Sequence, residues 1–433
     1  MKQEFVDTSP ACPACERADS VPFYQVRDVP VHQVKLVHSR EDAFRARTGD
    51  ICLRFCKHCG FVWNAAFDVA RMSYDEYYES TQAVSPTFNQ FHENLARYVI
   101  DRFDVRHKRV VEIGCGQGEF LMMLSELGDN IGFGFDRVNR GNSVNERVEF
   151  IKDIYSERYR DVEPDFVACK MTLEHVDDIQ PFLRRVRSTV GDRPEALVFF
   201  MIPEVTRILE LRAFWDIYYE HCSYWSPGAL ARAFRCAGFD PVEVWTDFAD
   251  QYVLITARPG DGKSPLLPNE LPPADLERRV DVFKREVPDD IARWQDWLDG
   301  LRRQGKKLSL WGGGSKGVAF LTTLGIGVHD GVEYVVDVNP RRHHTFIAGG
   351  GQEIVAPGFL AEYRPDAVLV MSPIYQAEIA AQLDRMGLGN VELLSVESPP
   401  ARPEPALPRA EDRGGLALRG SVAAAARSSG SYG

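Results

Sequence analysis

The sequence predicts an α/β protein built on two doubly wound sheets, with a short cysteine-paired segment in front of them. Three observations predict it. Residues 109–136, RVVEIGCGQGEFLMMLSELGDNIGFGFD, read as strand, glycine turn, helix and strand, the two apolar runs closing on Glu112 and Asp136. Strand-like apolar runs then alternate with helical or loop stretches, as parallel strands require. A second glycine turn, Gly312-Gly313-Gly314-Ser315-Lys316-Gly317, follows another strand-like run at 307–311 and repeats the plan.

Composition narrows the function classes. With 433 residues, 44% apolar and 26% charged, the chain has room for two or three soluble domains, each with its own core. A net charge of −12 argues against nucleic-acid or anionic-membrane binding, so an anionic ligand must meet a local basic patch. No apolar run reaches membrane-spanning length and the start MKQEFVDTSPACPAC lacks the apolar core of a signal peptide. The expected compartment is the cytoplasm.

The elements follow in chain order. Cys12-Pro-Ala-Cys15 and Cys56-Lys-His-Cys59-Gly60 are two C-x-x-C pairs within one short segment, the spacing that aims two thiolates each at one tetrahedral Zn2+. A redox dithiol is the competing reading, and Cys52 competes for one ligand place. Four thiolates leave no open position for chemistry, so a metal there is structural and folds residues 1–70. In residues 74–102 Tyr74, Tyr77 and Tyr78 cluster without a period, as interdomain packing or as a lid. Phe91, Leu95 and Val99 beyond them lie at helical spacing.

In the glycine turn, Gly114, Gly116 and Gly118 let the backbone bend sharply and approach a ligand. Asp136 stands where an acid takes the two hydroxyls of a ribose. Runs at 148–153, 165–171 and 195–203 read as three more buried strands, and 240–248 with 251–258 as a hairpin that adds an antiparallel edge. Five parallel strands, a terminal hairpin and the pattern E-x-G-x-G-x-G resemble the class I methyltransferases, whose sheet has seven strands and whose cofactor is S-adenosylmethionine. That resemblance implies that Glu112, Gly114, Cys115, Gly116, Gly118 and Lys170 lie along the cofactor, that Asp136 takes its ribose, and that Asp153 lies near its adenine. As a strand-ending acid, Asp153 is equally a solvated turn residue. His175, in LEHVDD, matches the segment after the fourth strand and is equally a helix-start residue.

Residues 213–227, AFWDIYYEHCSYWSP, read either as an aromatic seam or as a reaction centre with Glu220 and His221 among hydroxyl donors. His221 is the natural base near neutral pH. The four cysteines, YESTQ at 78–82, VVEIGCGQGEFL, YEHCSYWS at 219–226 and the later lysine-glycine turn are similar, over about residues 10–397, to the nucleotide-sugar C-methyltransferases. That resemblance implies a zinc-binding domain (1–70), a methyltransferase domain with an N-terminal helical segment (71–258), a linker (259–275) and a Rossmann-like substrate-binding domain (276–398). It implies methylation of the carbon beside the ketone of a nucleotide-linked keto-deoxysugar. His221 would then take the proton with Glu220 holding or polarising it, Tyr78 completes the catalytic core, and Tyr218 or Tyr219 supplies a further hydroxyl, a choice the sequence leaves open. A carbon beside a ketone needs a base to remove its proton and donors for the enolate oxygen, which is what these residue types provide.

Beyond the linker, Leu276, Val280, Phe283 and Val287, then Ile291, Trp294, Leu298 and Leu301, flank Pro288 at helical spacing. The pattern predicts two amphipathic helices, with Pro288 in the first turn of the second. The hexapeptide 312–317 satisfies G-x-G-x-x-G, and Asp337 closes the next run as a ribose acid should, so in isolation it proposes a second dinucleotide site. The resemblance assigns it instead to the nucleotide-sugar: Lys316, Gly317, Asp337 and Arg341, the last within a basic cluster with Arg342, His343 and His344, would hold the nucleotide and its diphosphate. A solvated basic loop is the competing reading. Ser80 stands where the family has asparagine, and residues 368–379 lack its tryptophan-asparagine pair, two departures where side chains meet the acceptor. Residues 399–433 are expected to be a disordered tail. The expected partner is a small molecule, with no nucleic acid and no membrane, for a monomer or homodimer. A methyltransferase of another O, N or C acceptor and a noncatalytic zinc-containing binding protein are the alternatives.

Overall fold

The computed structural model describes residues 10–139 and 146–400. Its central sheet has seven strands in the order Phe239–Asp247, Tyr252–Pro259, Leu197–Pro203, Phe166–Lys170, Arg109–Ile113, Ile131–Phe135, Val148–Ile151. The last five are mutually parallel and the hairpin joins antiparallel, as the runs in the sequence imply. Strand alternation divides the core in two. Val110, Phe166, Ala168 and Phe199 face the helices Pro86–Phe103 and Glu119–Gly128, whereas Val111, Val167, Cys169 and Phe200 face Ile179–Val190 and Pro227–Cys236. Strand order reverses between Arg109–Ile113 and Phe166–Lys170, which opens a crevice at their carboxyl ends.

A smaller antiparallel sheet is built from Ser20–Pro30, Thr48–Cys56 and Val62–Asn64. Its fourth strand comes from far along the chain: Ser223 and Tyr224 pair with Trp63 and Val62. The cysteine-bearing segment is thus hydrogen-bonded directly beside residues 218–221. The third sheet is all parallel, in the order Glu353–Val355, Val332–Val336, Leu308–Trp311, Ala367–Val370, Glu392–Ser395, and reverses between Leu308–Trp311 and Ala367–Val370.

The expected pair of helices around Pro288 is one helix, Pro273–Arg303, that runs through the proline. The reason is burial. Leu276, Val280, Phe283, Val287, Trp294 and Leu298 form one buried stripe, and Phe283 meets Phe23 and Tyr24 of the small sheet edge-on. Burying six large side chains at roughly 1.5–3 kcal/mol each outweighs the ~3 kcal/mol that an interior proline costs. Among the described residues no helix is long and apolar enough to cross a membrane. The expected tail lies, from residue 401 on, outside the described residues.

Candidate active site

The first glycine turn positions the cofactor half of the site. After Arg109–Ile113 the chain turns through Gly114 at φ +68° and Gly116 at φ +56°. A Cβ on Gly114 would lie 2.0 Å from Thr172 Oγ1, so the turn is locked against the loop after the fourth strand. A Cβ on Gly116 would meet nothing within 4 Å, which leaves open space for a ligand at a backbone conformation that disfavours side chains. Asp136 fixes the turn from the next strand: its Oδ2 accepts from Gly116 N at 2.9 Å and its Oδ1 from Val138 N at 2.8 Å. Burial raises its carboxyl above the ordinary value, against these hydrogen bonds. Beneath the turn, Lys170 Nζ lies 3.8 Å from Glu112 Oε1 and 4.1 Å from the centre of the Phe120 ring. Both charges are buried: desolvation pushes Glu112 up to about 7, despite Lys170, and lowers Lys170. Cys115 is buried in the turn and lines the same cavity. Asp153 stands at the cavity rim, its carboxylate accepting from Tyr159 Oη at 2.6 Å and paired with Arg158.

The second half of the site comes from residues 216–221, held between the small sheet and the crevice. Here the structure separates the two tyrosines that the sequence leaves open. Tyr218 lines the cavity and donates to Asp216, whereas Tyr219 packs on Phe67 in the core beneath and accepts from Asp68 N at 2.9 Å. Glu220 is 1% exposed and is bonded to Tyr78, not to His221. Its Oε2 accepts from Tyr78 Oη at 3.0 Å and its Oε1 from Gln33 N at 3.0 Å, with His32 Nδ1 3.9 Å from Oε2. The expectation that its carboxylate holds His221 is therefore corrected: residue 33 and the tyrosine claim both oxygens first. What stands beside His221 is His175, edge-on at 5.0 Å, with Tyr218 at 4.7 Å. His175 Nδ1 is in turn held by Glu220 O at 2.8 Å. Donor atoms of Glu174, His175 and His221 all lie within 4.8 Å of one another. Burial, then His175, drives His221 well below the ordinary imidazole value, so the ring is neutral at physiological pH and free to accept a proton. Burial pushes Glu174 up to about 8.

The second glycine turn supplies the far wall. Asp337 repeats the arrangement of Asp136, its Oδ2 accepting from Gly313 N at 3.0 Å and its Oδ1 from Asn339 N at 2.8 Å. Lys316 Nζ lies 2.9 Å from Asp216 Oδ2 and 3.0 Å from Gln251 Oε1, so it is tied through Asp216 to the Tyr218 hydroxyl. Burial raises the Asp216 carboxyl, but Lys316 and Arg207 outweigh it and hold the group below its ordinary value. Lys316 and Asp337 line the cavity, while Gly317 packs its Cα against Gly312 O, where a Cβ would come within 2.2 Å. Arg341 stands behind the wall, paired with Glu79. Arg342, its neighbour, is the buried arginine on the cavity, donating to Gly313 O at 3.2 Å and to Glu79 O. Arg207, Asp216 and Glu174 are cavity residues that the sequence reading did not name, although Glu174 lies within LEHVDD. Asp216 sits within the aromatic stretch 213–227, so both acids had a local signal and Arg207 had none.

One continuous cavity of about 750 Å³ is lined by both glycine turns and by Tyr78, Tyr218 and His221. Residues 6–244 match the methyltransferase-domain family, more than half of the chain. The chain belongs to the methyltransferase family. Residues 275–394 match the C-methyltransferase C-terminal domain, which makes the protein an S-adenosylmethionine-dependent C-methyltransferase. It is 25% identical over 287 residues to C-methyltransferase NovU of Streptomyces niveus, covering 62% of this chain and 67% of that one. Among solved structures it is similar to the N,N-8-amino-8-demethyl-D-riboflavin dimethyltransferase RosA of Streptomyces davawensis, with 23% identity over 40% of this chain and 55% of that one, at a TM-score of 0.31. It is also similar to human N-acetylserotonin methyltransferase, with 17% identity over 40% and 55% of the two chains, at a TM-score of 0.33. The chain spans about half the length of these two solved proteins.

In this C-methyltransferase the four paired cysteines converge. Cys12 and Cys59 have Sγ atoms 3.7 Å apart, as do Cys15 and Cys56, and all four lie within 4.8 Å of one another. A tetrahedral zinc with Zn–S bonds of about 2.3 Å requires thiolates about 3.8 Å apart, so the donor set fits that ion. Cys52 stands outside the cluster. Arg232, on the helix Pro227–Cys236, donates to Cys59 O at 3.0 Å and docks the cluster onto the methyltransferase sheet.

Proposed function

We propose that this C-methyltransferase places a methyl group on the carbon beside the ketone of a nucleotide-linked keto-deoxysugar, through an enolate. The observation that carries the reading is one cavity whose lining brings together the first glycine turn with Asp136, the second with Asp337, and His221 with the hydroxyls of Tyr78 and Tyr218. Asp136 and the turn around Gly116 would hold S-adenosylmethionine, with Glu112, Cys115 and Lys170 beneath it and Asp153 at the rim. The cofactor, when bound, supplies the methyl group. His221, neutral through burial, takes the proton from the carbon. Tyr78 and Tyr218 each carry one hydroxyl proton, held at rest by Glu220 and Asp216, and each would turn it from that carboxylate to the oxygen on which charge develops. Asp216 links Tyr218 to Lys316, whose charge serves the diphosphate. Cys12, Cys15, Cys56 and Cys59 hold a structural Zn2+. Its task is to fix the strand pairing that carries residues 218–221.

The test is methyl transfer from S-adenosylmethionine to a panel of nucleotide-linked keto-deoxysugars, read as a mass gain of one methyl group on carbon. Asp136→Ala should raise the KM for S-adenosylmethionine about 10- to 100-fold, the loss of hydrogen bonds to a charged acceptor. Transfer to O or N acceptors alone would sink the proposal.

A further inference from the structure

We propose that His32 is a positioning residue for Tyr78: its Nδ1–H is a reserve donor that closes on Glu220 as the Tyr78 hydroxyl turns away to the oxygen on which charge develops. The inference rests on the donor role proposed above for Tyr78 and deepens it.

The first ground is the tautomer. Ser73 N donates to His32 Nε2 at 3.1 Å. A backbone N–H can only donate, so Nε2 is the accepting nitrogen and the one proton of the neutral imidazole sits on Nδ1. Nδ1 is buried, and among the described residues it has no hydrogen-bond partner. Few buried donors are left in that state. It lies 3.9 Å from Glu220 Oε2, the oxygen that accepts from Tyr78 Oη at 3.0 Å.

The second ground is the count of protons. Tyr78 has one hydroxyl proton, so it serves either Glu220 or the substrate. Glu220 is 1% exposed, and once the tyrosine has turned its carboxylate keeps the bond from Gln33 N to Oε1 at 3.0 Å. A buried carboxylate oxygen stripped of its donor is unfavourable and would hold the hydroxyl back. Closing by about 1 Å brings Nδ1 within hydrogen-bond distance of Oε2 and replaces the lost donor. No proton changes its atom; only the partners change.

The third ground is position. His32 follows the strand Ser20–Pro30, and its segment is laced to that of Tyr78: Leu36 N donates to Tyr77 O at 2.8 Å and Glu79 N to Val34 O at 3.1 Å. The imidazole stands edge-on to the rings of Tyr74 and Tyr78, at 5.9 and 6.3 Å between centres. Tyr78 and Glu220 line the cavity and His32 stands behind them, so it acts through them rather than on the substrate.

Nitrogen NMR of the full chain with isotope-labelled histidine tests this without an acceptor, His32 being assigned by the signal that His32→Asn removes. The wild type should show the Nδ1-protonated tautomer. Tyr78→Phe takes the hydroxyl off Oε2 and so imitates the turned state; there the Nδ1–H proton of His32 should move downfield and exchange more slowly with water. A proton on Nε2 in the wild type, or an Nδ1–H signal that Tyr78→Phe leaves unmoved, overturns the inference. In turnover with a nucleotide-linked keto-deoxysugar, His32→Ala should lower kcat about tenfold, the loss of one hydrogen bond to a charged group, with the KM for S-adenosylmethionine unchanged. His32→Asn, whose amide nitrogen takes the place of Nδ1, should recover most of that loss. Full kcat in His32→Ala, or an equal loss in the two variants, overturns the positioning role. Full turnover in Tyr78→Phe removes the donor role of Tyr78 and the inference with it. If no keto-deoxysugar is methylated, the acceptor proposed above fails, while the spectra still decide the pairing of His32 with Glu220.

Discussion

Replacing His221 with alanine is expected to lower turnover by about 10²- to 10⁴-fold, the range lost with a general base, while S-adenosylhomocysteine binds as before. A second neutral imidazole on the cavity, His175, has its Nδ1 engaged by Glu220 O at 2.8 Å, and His175→Ala is the control that separates the two rings: it should cost turnover less than His221→Ala. Glu220 is committed to Tyr78 and Gln33, and Glu174 is pushed up to about 8 and so is mostly protonated at pH 7. The pH profile should separate this role from a structural one. Burial depresses His221, and a base is active only when unprotonated. The rate should therefore hold level as pH falls through the ordinary imidazole value of about 6.5 and decline only below it. A rate that halves near 6.5, or a His221→Ala enzyme with full turnover, contradicts the assignment. Tyr78→Phe should cost less, since Tyr218 remains and can turn its proton from Asp216 to the developing charge.

The second large effect is expected from the thiolates. Cys12→Ser should remove about one zinc per chain, measured by atomic absorption, and lower the thermal midpoint markedly, because a closed zinc site contributes ~10 kcal/mol or more to the segment it folds. The loss should reach catalysis as well. The strand Val62–Asn64, three residues after Cys59, pairs with Ser223 and Tyr224, and Asn64 N donates to Cys222 O at 2.9 Å. Loosening the clip therefore loosens the backbone that carries Glu220 and His221. Cys52→Ser, outside the cluster, is the control and should retain the metal. Full zinc content in the Cys12→Ser protein would refute the four-thiolate site.

What the sequence made legible was local. Glycines at 114, 116 and 118 and an acid at 136 are demanded by a turn of about thirty residues, so spacing alone exposed them. Five parallel runs and a hairpin were likewise legible as strands, whereas their order in the sheet came from the structure. Pro288 misled because local cost was weighed without the buried stripe that opposes it. The site misled for a related reason. Gln33 and Glu220 are 187 residues apart and Tyr78 and Glu220 are 142 apart, so nothing in the local pattern says that Glu220 serves the tyrosine. Tyr218 and Tyr219 are adjacent in sequence and differ only in which side of the segment meets the cavity. Arg341 and Arg342 are the same case. Adjacent residues of one type are resolved by packing, and packing is what the sequence does not spell out.

Deuterium exchange tests the central claim most directly. A nucleotide-linked keto-deoxysugar would be incubated in heavy water with the enzyme and S-adenosylhomocysteine, so that no methyl transfer competes, and followed by proton NMR. The proposal predicts that the signal of the carbon beside the ketone fades with the wild-type enzyme and persists with His221→Ala. Methylation of that carbon under turnover conditions by an enzyme that shows no exchange, or exchange undiminished in His221→Ala, would contradict it.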